Sequence, residues 1–380
     1  MSVKLTNFVQ IAINHAIKIN ANATRDTAVV IHYKADATSV SYKSLTEAPS
    51  FSGETAYLAG IQDYIEAFFR NAGRKLYVVT VNSIDITTPA TSVVLTELRN
   101  LPMEYIMVGF VADSDNANPT AESVFRAIAQ AYNNEMIAAN EPIMQKIFVS
   151  EMTEAEYGNI DAAIKVENYV VKLGSQGIGA SILAYYTAID VYSYNSTQDY
   201  MFTTENYEND PTNSKYYVFD SDALVKKAIA YDMNIDTKLI DRVKNIGGND
   251  TAGYDLTNQF MLLVIQQTLT SVVIQVLENK IRYDASGLNT ILNAIVQELN
   301  RYVNNGYLST TKVWSDPALY YEGYKVIDTN TVLNSGYKVV ILPFESLTPA
   351  ERAAHQLPKI YILLADSYSI RKIVINGEVF

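Results

Sequence analysis

The sequence predicts an α/β fold, α+β overall, with a mostly parallel sheet in its first two thirds. Three observations predict it. Short apolar, β-branched runs alternate with helical periodicities from Thr27 to Gly174. Long helical segments then dominate up to Val303, and strand patterns return after Gly306 and continue to Phe380. Strands that alternate with helices form βαβ units, whose crossovers favour parallel pairing.

An extended segment around Val9–Ile13 comes first. TAVVIHY (Thr27–Tyr33) reads as a strand. ETAYLAGIQDYIEAFF sets Leu58, Ile61, Ile65, Phe68 and Phe69 on one helical face, with Gly73 as its stop. LYVVTV (Leu76–Val81) is a strand, followed by a helix near Ser92–Leu98. YIMVGFV (Tyr105–Val111) is a strand, and a long helix begins at about Ala121. KIFVSE (Lys146–Glu151) and NYVVKLG (Asn168–Gly174) continue the alternation. The polar, tyrosine-rich stretch Ser193–Asp220 reads as a long surface loop. Helices are expected over Asp222–Tyr231, Leu256–Leu277 and Ser286–Val303, and the Gly-rich Gly247–Asp255 reads as a linker or domain boundary. YKVVIL (Tyr337–Leu342) and KIYILLA (Lys359–Ala365) are strands. Between them Thr348, Pro349 and Glu351 spell a capping box on a short helix. From Lys372 onward Ile373, Ile375 and Val379 share one face of a period-two pattern, a half-buried final strand.

Composition narrows the function classes. A chain of 380 residues with 48% apolar content can bury the cores of two or more domains. Its net charge of −12 disfavours non-specific attraction to nucleic acid or anionic lipid. The charge is uneven: residues 51–310 hold 17 basic and 31 acidic side chains, while both ends are near neutral. An acidic middle suits a solvated outer surface, and neutral ends suit burial against partners. With no cysteine, disulfides, thiolate metal sites and cysteine nucleophiles are excluded. The start of the chain lacks a continuous apolar core of the secretory type. Phe260–Leu277 is interrupted by Gln266, Gln267, Thr268 and Gln275, which fits a buried helix better than a bilayer span.

Motifs that carry chemistry are weak. His15, His32 and His355 share no metal-ligand spacing. GSQGIGAS (Gly174–Ser181) follows a strand and opens a helix, the setting for phosphate binding. Its glycine order is G-x-x-G-x-G, however, and no Lys-Ser/Thr pair follows, so a strand-to-helix turn is the simpler reading. Asp113–Ser123 begins like a calcium loop but lacks the glycine at its sixth position and the glutamate at its twelfth. No nucleophile elbow and no H-E-x-x-H occur. The expectation is a protein with no catalytic site, no cofactor and no metal.

Three stretches carry a family resemblance: Gly179–Phe202 (GASILAYYTAIDVYSYNSTQDYMF), Tyr254–Leu308 with its two long helices, and Leu342–Phe380 (LPFESLTPAERAAHQLPKIYILLADSYSIRKIVINGEVF). They resemble subunits of the contractile tail sheath of myovirus-type bacteriophages and related pyocin-type injection machines. The resemblance covers roughly half of the chain. It departs from the family where DSYSIRK stands in place of a glycine-rich turn with a histidine. It implies an outer α/β domain over 26–254 and an inner α+β domain built from 1–25 and 255–380, with strands exchanged between subunits. Val9, Ile11 and Ile13 at one end, and Ile373, Ile375 and Val379 at the other, are the expected exchange residues. Pairing of Ile370–Phe380 within its own domain is the alternative. The implied function is a structural subunit that polymerises helically around a tail tube and contracts to drive it through a host envelope. The implied partners are further copies, the tail tube protein, and baseplate and tail terminator proteins, with no nucleic acid and no membrane insertion. The implied location is the virion, with assembly in the host cytoplasm. The alternatives are an α/β enzyme using the Gly174–Gly179 turn for a phosphate, or another phage tail structural protein.

Overall fold

The computed structural model describes residues 8–9, 25–113, 122–139, 141–152, 165–174, 177–192, 200, 222–239, 242–321 and 323–367. Its strands are Phe8–Val9 (β1), Thr27–Tyr33 (β2), Ser41–Leu45 (β3), Lys75–Val81 (β4), Met107–Ala112 (β5), Ile147–Met152 (β6), Tyr169–Leu173 (β7) and Asn234–Leu239 (β8). They continue with Arg242–Ile246 (β9), Val313–Trp314 (β10), Leu319–Tyr321 (β11), Tyr324–Ile327 (β12), Thr331–Val332 (β13), Tyr337–Ile341 (β14) and Ile360–Leu364 (β15). The helices are Gln62–Arg70 (α1), Val93–Asn100 (α2), Glu122–Ala138 (α3), Ala180–Ala188 (α4), Asp222–Ala230 (α5), Leu256–Glu278 (α6), Ala285–Asn304 (α7) and Pro349–Ala353 (α8).

An eight-stranded sheet in the order β3-β4-β2-β5-β6-β7-β8-β9 forms the larger body. The six strands from β4 to β8 run parallel, and β3 and β9 close the two edges antiparallel. A strand with both faces covered reads as a continuous apolar run, and β2 is buried at every position up to Tyr33. Its successive side chains feed two different cores. Ala28 and Val30 face α1, α4, α6 and α7, while Val29 and Ile31 face α2 and α3. The α/β expectation holds.

The first core does not end with the sheet. It runs through α6 and α7 to Ile362 and Leu364 of a second, three-stranded sheet ordered β1-β15-β14. Inside this layer α6 buries three glutamines, Gln259, Gln266 and Gln267. The Gln267 amide donates to the carbonyls of Met103 (2.7 Å) and Ile143 (3.2 Å), which fastens the helix to the loops under the large sheet. The helix is long and apolar enough to cross a bilayer by length and composition, and most of that stretch is buried in the chain itself.

Several local expectations differ from the structure. The helix read over 54–69 begins as a 3-10 helix, Gly53–Ile61, and becomes α-helical only at Gln62. Gly247–Asp255, read as a linker, is a buried turn. Asp250 accepts the backbone N–H groups of Asn168, Ala252 and Tyr254, and Thr251 bonds to Val166 and Tyr169. A polar, Gly-rich segment looks like a linker when its polar side chains are assumed to face water, and here they face inward. The Ser193–Asp220 loop lies outside the described residues except for Tyr200, which is buried.

Candidate assembly interface

Among the described residues the small sheet ends at β14 in an open ladder, as the large sheet does at β3 and β9. In an antiparallel pair, alternate residues direct their backbone N–H and C=O groups toward the partner. Ala365 N–H donates to Gly336 C=O, and Leu342 N–H donates to Lys359 C=O. With Lys338 opposite Leu363 and Val340 opposite Tyr361, the even residues of β14 serve β15. The N–H and C=O groups of Tyr337, Val339 and Ile341 therefore point the other way, and among the described residues no strand lies there. All five residues of β14 are half-buried.

Both faces beside this open edge are furnished. On one, Tyr337, Val339, Ile360, Ile362 and Leu364 pack against the helices, and the Tyr337 hydroxyl donates to Asn300 of α7 at 2.8 Å. On the other, Val340 and Leu363 join Trp314, Val326 and Ile327 of the short strands, and Tyr321 stacks on Tyr361 at 4.4 Å between ring centroids. The point where the chain leaves β15 is fixed. Asp366 pairs with Lys312, accepts from Asn258, and bridges to Leu308.

The six exchange residues fall differently. Val9 is in β1, opposite Ile362 of its own chain, on the far side of β15 from the open edge. Ile11, Ile13, Ile373, Ile375 and Val379 lie outside the described residues. Period two singled out the strands that end the chain but not the edge that could receive one. That edge was legible only as the strand pattern YKVVIL, because openness is a property of the sheet and not of the strand.

At the Gly174 turn and around Lys172 the polar groups are taken up within the chain. At the Gly174 turn the backbone N–H groups of Gly177 and Gly179 donate to the Glu151 carboxylate, at 3.0 and 2.8 Å. The anion held at that helix start is the protein's own side chain. Burial pushes the Glu151 carboxyl up to about 7, against the opposite pull of those two N–H groups and Lys172. Lys172 is fully buried with Asp236 at 3.0 Å, and it also donates to Ser181 and Tyr200. A Ser-Lys contact can activate a nucleophile, but here the lysine is held by a carboxylate and Ser181 is buried. Between β2 and β5, where the strand order reverses and α/β sheets often bind ligands, His32 and Lys34 converge on Asp113. Burial lowers His32 to about 4, so it is neutral. His355 sits beside the Tyr283 ring, and His15 lies outside the described residues. Among the described residues no group of three His, Asp or Glu side chains is placed to hold a metal.

No protein-family model matches the sequence, and no curated protein matches it. Solved structures do match, and they define a class: the chain has the fold of contractile injection-system sheath proteins. A chain of the contracted helical sheath of the anti-feeding prophage aligns with a TM-score of 0.60 at 13% identity, over 97% of this chain and 96% of that one. A chain of the six-fold symmetrised baseplate of the same particle gives 0.61 at 12%, over 97% of each. A chain of the contracted PVC sheath complex, from an extracellular contractile injection system, gives 0.59 at 12%, over 97% and 95%. At such identities the likeness is one of fold.

Proposed function

We propose that the chain is a structural subunit of a contractile sheath, assembling helically around a tube and shortening to drive it through a target envelope. The single observation that carries this reading is the open edge of β14, set in a fold shared along nearly its whole length with sheath-complex chains. An incoming strand at Tyr337, Val339 and Ile341 would gain main-chain hydrogen bonds of roughly 0.5–1.5 kcal/mol each, with alternate side chains providing selectivity. The strand is that of a neighbouring copy, with Ile373, Ile375 and Val379 on its apolar face; Val9 pairs here with Ile362 of its own chain, and exchange of Val9–Ile13 would trade that pairing for the same one in a neighbour. A contact of this head-to-tail kind does not close on two copies, so it propagates.

In this reading 26–254 is the outer, acidic domain, and 1–25 with 255–380 is the inner domain facing the tube. The tube, baseplate and terminator proteins are its partners, and the particle tail is its location after assembly in the producing cell's cytoplasm. The work is mechanical: two assembled states differ in interface burial, and exchanged strands keep neighbours connected as the other contacts repack. No catalysis is involved, which is supported by Glu151 filling the Gly174 turn and by the buried Lys172–Asp236 pair. The likeness to a baseplate chain favours a second placement, in a closed ring at the foot of such a particle.

Electron microscopy of the purified full-length protein tests both. Tubes of variable length support the sheath subunit, and closed rings support the baseplate placement. A strict monomer across a wide concentration range overturns both.

A further inference from the structure

A cleft of about 440 Å³ opens where the two long helices meet Tyr192, with Thr268, Ser271, Gln275, Glu298 and Arg301 in its lining. Its hydroxyls are already committed, since Thr268 and Ser271 donate to the carbonyls of Val264 and Gln267 one turn back on α6. Its charges are not balanced. Arg301 lies over the Tyr192 ring, 4.3 Å from the centroid, and pairs with Glu298 on one side only. Arg25 reaches the same place from the start of β2, donating to Thr268 at 3.1 Å and to Tyr192 at 3.4 Å. Among the described residues the buried Nε atoms of Arg25 and Arg301 find no acceptor. Among the described residues two guanidinium groups thus face one carboxylate, that of Glu298.

A guanidinium is planar and presents its donors in one plane, the geometry that suits a carboxylate, and the Tyr192 ring beneath Arg301 holds it in place. We propose that this cleft receives an acidic side chain, Asp or Glu, from a second copy of the chain. The proposal rests on the self-assembly reading above. Two observations select the occupant. Residues 51–310 carry 31 acidic side chains against 17 basic ones, and although Asp113, Glu151, Asp236 and Asp250 are buried, acidic side chains remain in excess for a second copy to offer. The cleft also shares α7 with the open edge, because Tyr337 of β14 bonds to Asn300, the residue before Arg301. The edge and the cleft are thus attached to the same helix. Charge complementarity of this type fixes register between large surfaces.

The test compares wild type, Arg301→Glu, Arg301→Lys and Gln275→Glu, all full length, by sedimentation velocity and thermal melting. The expected result is a critical concentration for assembly raised at least tenfold in Arg301→Glu and Gln275→Glu, with an unchanged melting temperature and a smaller effect in Arg301→Lys. Gln275 is exposed on α6, so its variant decides the matter if Arg301→Glu loses stability along with its Glu298 pair. Assembly of Gln275→Glu at the wild-type concentration overturns the proposal and leaves the sheath reading standing. A lowered melting temperature in Gln275→Glu with normal assembly also overturns it, by placing a segment of the same chain in the cleft. A wild type that never assembles refutes the self-assembly reading and this proposal together.

Discussion

Asp250 shows how one side chain can be misread from its neighbours. Set in GGNDTAGYD it has the look of a solvated turn residue, yet it is fully buried and carries three backbone N–H groups at 2.8–3.1 Å. Burial dominates those three bonds and pushes its carboxyl up to about 7. A carboxyl with a raised folded-state pKa contributes stability that is present below its unfolded value near 4 and is lost as pH rises through about 7. Glu151 acts in the same direction. His32, lowered to about 4, acts in the opposite one: its contribution is present above about 6.5 and is lost as pH falls through about 4. Asp250→Asn should therefore remove one carboxyl's share of the decline between pH 4 and 7. It should also cost about 1–3 kcal/mol at the acidic end, where one N–H loses its acceptor. Urea denaturation at pH 5 and 7.5 checks both. An unchanged difference between the two pH values would count against the buried ionisation. Gly177 makes a simpler case, because its φ is +94° and an added Cβ would lie 2.8 Å from the Asp63 carbonyl oxygen. Gly177→Ala should cost on the order of 1–3 kcal/mol in the same assay, through strain and that clash.

Among the elements, those with strong local signals were legible. The capping box at Thr348 and Glu351 is present as spelled, with both reciprocal bonds made. The two long helices begin with Asp255 and Asp284 as N-caps, within a residue or two of where periodicity placed them. The strands that escaped are β3, β8, β9 and the short ones from β10 to β13. The β8 case explains why. Asn234, Ile235 and Asp236 are all fully buried, so the hydrophobic alternation that marks a strand is overwritten by polar residues whose partners lie elsewhere in the chain. Asp236 meets Lys172, and Asn234 meets the Asn249 carbonyl and the Gly248 N–H. No single-strand pattern contains that information. The open edge of β14 was hidden in the same way, and its orientation yields a sharp pair of variants. Val339 directs its N–H outward and Val340 directs its N–H to β15, so Val339→Pro should leave the melting temperature nearly unchanged while blocking assembly. Val340→Pro removes a ladder bond and should lower the melting temperature. Equal destabilisation by the two would refute the assigned orientation.

For the molecule as a whole, one continuous core ties the two sheets together. The core that begins under the large sheet continues through α6 and α7 to the small one, so a force applied at β14 reaches the α/β body through packed side chains rather than through a hinge of loop. Deleting 370–380 should leave this unit folded and abolish assembly, as measured by a retained melting temperature together with a monomer peak on size exclusion. A collapsed melt would instead place that segment in its own subunit. The family resemblance was legible because it lay in the order of long helices and closing strands, which survives sequence divergence. What each copy joins was not, because an interface needs two surfaces and a sequence displays one.

The edge of β14, open among the described residues, has a consequence in the language of polymerisation. If each added copy covers the edge of the one before it and brings an identical edge of its own, the growing end never becomes inert, and length is not encoded in the subunit. Something that fits the edge but offers no successor must set it. A synthetic peptide of residues 368–380 has that character: at a small molar fraction it should shorten the tubes in proportion to its ratio to subunit, without dissolving those already formed.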